Sequence, residues 1–130
     1  MSSPAKVLLI GYIQSDLDAQ RSVLRHFWTV ETAITDGRGA VALNADLVVV
    51  SESLPSEARQ LLVESVREHA PLMLIVKLNG YDSGPHAGAD ATVSWDRGPG
   101  ALVSTIYELL TERGLASRGW QGRDAALWVH

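Results

Sequence analysis

Hydrophobic positions along the chain fall into two alternating patterns. Short runs rich in β-branched or aliphatic residues occupy positions 7–10, 47–50, 72–76 and 91–94, with a weaker run at 30–35. Continuous apolar runs of this length predict strands buried on both faces of a parallel sheet. Segments with helical spacing lie between them. Ser15, with Asp18 three residues later, marks the start of a first helix whose apolar side carries Leu17, Leu24 and Phe27. A short, poor segment at 38–43 supplies a second helix. A third begins near Ser56, sets Ala58, Leu61, Leu62 and Val66 on one stripe, and stops before Pro71. The last opens at Pro99, buries Leu102, Val103, Ile106, Leu109 and Leu110, and ends at Gly114.

This order is strand and helix in alternation, which predicts an α/β fold with a parallel sheet covered by helices on both faces. One stretch breaks the rhythm. Residues 77–88, KLNGYDSGPHAG, hold three glycines and a proline where the fourth helix is due, so that helix is expected to be short or missing. The expected organisation is one domain over residues 1–114 and a C-terminal tail over 115–130.

Composition narrows the class. The 130 residues are 46% hydrophobic and 20% charged, as in a globular domain rather than a disordered chain. Eleven basic against fifteen acidic side chains give a net charge of −4, which argues against nucleic-acid binding through bulk charge. Without cysteine there are no disulfides, thiolate metal sites or thiol catalysis. No apolar run approaches a membrane span and the first residues, MSSPAK, do not form a signal peptide. The expected location is cytoplasmic.

Three local motifs carry a family resemblance. They are Ala45-Asp46-Leu47-Val48-Val49-Val50 followed by Leu54-Pro55, then Pro71-Leu72-Met73-Leu74-Ile75, then Gly88-Ala89-Asp90. In this order and spacing, from about Lys6 to Gly114, the chain resembles the receiver domains of response regulators in two-component signal transduction. The resemblance implies a flavodoxin-like, doubly wound sheet of five strands in the order 2-1-3-4-5, with its site at the carboxyl ends of the strands.

The family's chemistry is missing from the matching positions. A receiver accepts a phosphoryl group on an aspartate ending the third strand, where this chain has Ser51. A carboxylate attacks phosphorus unaided, whereas a serine hydroxyl needs a base. The two acidic residues that hold Mg²⁺ in the family match Gly11 and Tyr12, neither of them a carboxylate. The hydroxyl residue ending the fourth strand matches Val76, and the lysine ending the fifth matches Trp95. The family's aromatic switch position holds Thr92, and the proline after the lysine is replaced by Asp96. Gly11, Tyr12, Ser51, Val76 and Trp95 therefore outline a degenerate phosphorylation pocket in a pseudo-receiver.

Other candidates add no chemistry. Asp16 and Asp18 belong to the first helix rather than to the site. Ser51-Glu52-Ser53 lacks a nucleophile-elbow context. His26, His69, His86 and His130 show no metal-ligand spacing, and Gly11-Tyr12-Ile13-Gln14-Ser15 lacks the glycine spacing of a phosphate-binding loop. No catalytic residue, metal or cofactor is expected, nor an enzyme activity. Trp95 and, in the tail, Trp120, Leu127, Trp128 and Val129 are the expected partner-binding residues. Two tryptophans left in water forgo about 25 cal/mol per Å² of apolar area. They should dock on the domain, on a second copy or on a partner.

These expectations lead to a phosphorylation-independent signalling module in a bacterial regulatory pathway. It would act by protein–protein interaction as a homodimer, without contacting nucleic acid or membrane. The alternative is a small-molecule sensor that uses the vacated phosphorylation pocket.

Overall fold

The computed structural model describes residues 5–35, 43–79 and 89–112. Five strands, β1 (Lys6–Gly11), β2 (Thr29–Ile34), β3 (Leu47–Val50), β4 (Leu74–Asn79) and β5 (Ala91–Ser94), form one all-parallel sheet in the order β2-β1-β3-β4-β5. Three helices, α1 (Gln14–Leu24), α2 (Ser56–His69) and α3 (Pro99–Glu112), cover it. The predicted doubly wound α/β fold and its strand order are therefore observed.

Alternation along each strand sends side chains into two separate cores. Val7, Leu9, Leu47, Val49, Val76 and Leu78 pack with Leu17 and Leu24 of α1 and with Leu102, Ile106 and Leu110 of α3. Leu8, Ile10, Val48, Val50 and Ile75 pack with Leu62, Val63 and Val66 of α2 on the other face. Because both faces are covered, the central strands read as unbroken apolar runs rather than as alternating ones.

Local readings of the chain need four corrections. β4 begins at Leu74, not at position 72; Leu72 is 79% exposed, and the strand runs on to Asn79. Phe27 is exposed, while its neighbour Trp28 fills the core where α1 turns into β2. Leu61 also faces solvent, and Arg59 takes a buried place on α2 instead. Ser15 does not cap α1: the cap position is Ile13, whose own side chain makes no capping hydrogen bond. The poor helix at 38–43 falls mainly outside the described residues. So do the irregular stretch between β4 and β5, the end of α3 at Gly114 and the tail.

Between β5 and α3 the chain makes a single 3-10 turn, Trp95–Arg97, closed by the Gly98 N–H donating to the Trp95 carbonyl at 3.0 Å. Gly98 has φ +95°, a left-handed conformation that only glycine takes without strain. α3 then starts at Pro99, whose missing N–H costs nothing in a first turn.

Aspartates tie down the amino edge of the sheet. Asp46 accepts from the Lys6 N–H at 2.8 Å and returns its own N–H to the Lys6 carbonyl at 2.8 Å. Asp90 accepts from the Ile75 N–H at 2.7 Å and from Arg67 at 2.6 Å. Arg67 also donates to the carbonyls of Pro71 and Met73. The Gly88-Ala89-Asp90 motif thus has a structural use: its carboxylate joins the starts of β4 and β5 to the end of α2.

Candidate functional site at the carboxyl edge of the sheet

β1 and β3 are adjacent and in register at Ile10 and Val50, so Gly11 and Ser51 form the next pair along. The Ser51 N–H donates to the Ile10 carbonyl at 2.8 Å. The pair is closely packed. A Cβ on Gly11 would lie 2.7 Å from Leu17 Cδ2, 2.7 Å from Ser53 Oγ and 2.9 Å from Ser51 Cβ. These separations are shorter than any van der Waals contact allows, so a side chain at position 11 has no room.

Ser51 is fully buried, and its hydroxyl is already engaged. Oγ accepts from the Ser53 N–H at 3.2 Å and donates to Glu52 Oε1 at 3.4 Å. Ser53 Oγ in turn accepts from the N–H groups of Tyr12 and Ile13, at 2.9 and 3.3 Å. This one hydroxyl latches the loop after β3 to the loop after β1. It also bonds the backbone N–H groups that lead into α1, where Ser15 was expected to act.

Glu52 and Gln20 form the polar centre of the site. Gln20, fully buried on α1, donates from Nε2 to Glu52 Oε1 at 2.9 Å. Gln20 Oε1 and Glu52 Oε2 are buried without a hydrogen-bond partner among the described residues. Burial pushes the Glu52 carboxyl above its ordinary 4.5; the Gln20 hydrogen bond opposes that shift and the Asp16 charge reinforces it.

The remaining predicted site residues are dispersed. Tyr12 is exposed at the rim. Val76 does not end its strand: it lies three residues before Asn79, fully buried in the core under α1 and α3. The pairing of Val50 with Lys77 sets Leu78, also fully buried, next to Ser51. Trp95 is partly buried against the same core, which fits packing rather than an open lid. The partner-binding candidates Trp120, Leu127, Trp128 and Val129 lie outside the described residues.

Magnesium does not fit this arrangement. The matching positions offer glycine, a solvent-facing phenol and an internally bonded serine in place of carboxylates. Among the described residues, no group of three or more His, Asp or Glu side chains is placed to hold a metal ion. No described helix is long and apolar enough to cross a membrane.

A second polar feature, absent from the sequence reading, sits on the α2 side of the same edge. Lys77 of β4 is fully buried, and its Nζ has no hydrogen-bond partner among the described residues. Arg59, in the first turn of α2, is 4% exposed and donates from Nη1 to the Leu78 carbonyl at 2.6 Å. Burial, with the Arg59 charge adding to it, lowers the Lys77 ammonium from 10.5 to about 8. The signal was present in the sequence: a lysine interrupts the apolar run from Leu72 to Leu78.

No family model matches the sequence, and no curated protein matches it. Solved structures do. A CheY-like response regulator receiver domain protein from Methanospirillum hungatei is 25% identical, with a TM-score of 0.71 over 86% of this chain and 98% of that one. A response regulator receiver domain protein from Clostridium thermocellum superposes with a TM-score of 0.72 at 19% identity, over 85% and 98% of the two chains. The chemotaxis protein CheY4 of Vibrio cholerae gives 0.69 at 23% identity, over 82% and 98%. The chain has the fold of the response regulator receiver domains.

Proposed function

We propose that this chain is a phosphorylation-independent signalling module, a pseudo-receiver that works by binding a protein partner in a two-component regulatory pathway. The observation that carries this reading is the packing at Gly11. Where a receiver places carboxylates around its phosphoacceptor, this chain has a glycine crowded by Leu17, Ser51 and Ser53, and the acceptor position is a buried, bonded serine. Phosphoryl transfer needs an exposed nucleophile and stabilisation of the transferred charge, and neither is provided by these residues. The same packing favours an interaction module over a sensor, since Leu17, Ser51 and Ser53 crowd the Gly11 position of the vacated site.

In this reading the module is a homodimer, joined through the α3 side, where Trp95 is partly buried and Tyr107 is exposed, and through the tail. Sedimentation of the full chain, with and without acetyl phosphate and Mg²⁺, tests both parts. A dimer unchanged by the phosphodonor is expected. A monomer throughout contradicts the homodimer, and assembly that requires the phosphodonor contradicts phosphorylation independence.

A further inference from the structure

Lys77 presents a chemical problem that the signalling role does not use. A buried ammonium is normally bonded or paired with a carboxylate. Here the amine has no exposed surface, no hydrogen-bond partner among the described residues, and a second cation, Arg59, beside it. Arg59 is held in place by its 2.6 Å bond to the carbonyl of Leu78, the residue after Lys77. Arg59 lies in the first turn of α2, whose cap residue Pro55 supplies no side-chain hydrogen bond. That end of the helix adds positive potential.

We propose that Lys77 is a carbamylation site, its Nζ combining reversibly with carbon dioxide to give a carbamate that pairs with the Arg59 guanidinium. The neutral amine uses its lone pair to form an N–C bond to CO₂. One C=O π pair moves to oxygen, and a proton leaves nitrogen for solvent, so that R–NH₂ and CO₂ give R–NH–COO⁻ and H⁺. No oxidant, metal or second reactant is required.

Three features favour this chemistry. Carbon dioxide is small and uncharged, so it can reach a side chain with no exposed surface without the desolvation cost that a free anion carries. The depression of the Lys77 ammonium to about 8 leaves an appreciable fraction as the nucleophilic amine near neutral pH. The product sets an anion near a guanidinium, whose planar N–H donors suit a carboxylate-like group. The modification would rewrite the charge at the junction of β4 and α2, on the opposite face of the sheet from Ser51, so it stands or falls independently of the signalling role.

The test is ¹³C NMR of the full chain equilibrated with ¹³C-bicarbonate at pH 8 in a sealed tube, with Lys77→Met as the control for carbamate at the N-terminal amine. A carbamate resonance in the wild type that is lost in Lys77→Met is expected. Trapping wild type with triethyloxonium under the same conditions should place the alkylated carbamate on the Lys77 peptide, and this measurement does not depend on the variant folding. Identical spectra for the two proteins, or trapped carbamate only at the N-terminus, would overturn the proposal.

Discussion

The two edges of the sheet treat polar groups in opposite ways. At the amino edge, Asp46 and Asp90 each join two elements through short hydrogen bonds, and Arg67 closes the second cluster. At the carboxyl edge, Gln20, Glu52 and Lys77 each bury a polar atom with no partner among the described residues. A bonded buried group contributes stability, whereas an unbonded one costs about 1–3 kcal/mol. The bonded aspartates of the amino edge therefore stabilise the fold, whereas these three buried groups at the carboxyl edge cost it stability.

Removing a bonded group should have the largest effect. Asp90→Ala leaves the Ile75 N–H without its acceptor and Arg67 without its carboxylate, and should destabilise the protein by about 3 kcal/mol in urea unfolding. An unchanged midpoint would remove the amino-edge half of the comparison.

At the carboxyl edge the sign should reverse. Lys77→Met removes a buried amine that has no hydrogen-bond partner among the described residues while keeping its stem, and should stabilise by about 1–3 kcal/mol at neutral pH. The pH dependence follows from the direction of the shift. The unfolded chain holds the Lys77 proton up to about 10.5 and the folded chain only to about 8, so wild-type stability should rise as pH increases between those values. The rise should vanish in Lys77→Met.

Gly11→Ala tests packing rather than charge. The new methyl meets Leu17, Ser51 and Ser53, so a loss of about 1–2 kcal/mol is expected from thermal unfolding. Smallest of all, Glu52→Gln should stabilise by up to about 1 kcal/mol near neutral pH, because the carboxyl it replaces is harder to ionise in the folded chain. That advantage should shrink as pH falls from the raised folded-state range through the ordinary 4.5 and be gone below it, where the wild-type carboxyl is protonated in both states.

Much of the fold was legible in the residues because it follows from one-dimensional patterns. The runs at Leu47–Val50 and Ala91–Ser94 are strands as read, and the spacing of Leu102, Ile106 and Leu110 marks the buried side of α3. Errors arose where tertiary packing chose between neighbours. Leu72 belongs to an apolar run yet is exposed, since the turn after Pro71 delays β4; Trp28 rather than Phe27 enters the core. The site was less legible. Gly11 and Ser51 were found through resemblance, and the structure does set them side by side. The placement of Val76 failed because the delayed start of β4 shifts its register, leaving Leu78 beside Ser51. Gln20 and Arg59, and the latch made by Ser53, are not legible in the sequence because their partners come from distant segments.

The central claim is that the receiver-like edge is closed to phosphoryl transfer. Intact-mass measurement of the full chain after incubation with acetyl phosphate and Mg²⁺, under conditions that preserve acyl phosphates, tests it most directly. The account predicts an unchanged mass. A Mg²⁺-dependent phosphoryl adduct on the chain would contradict it.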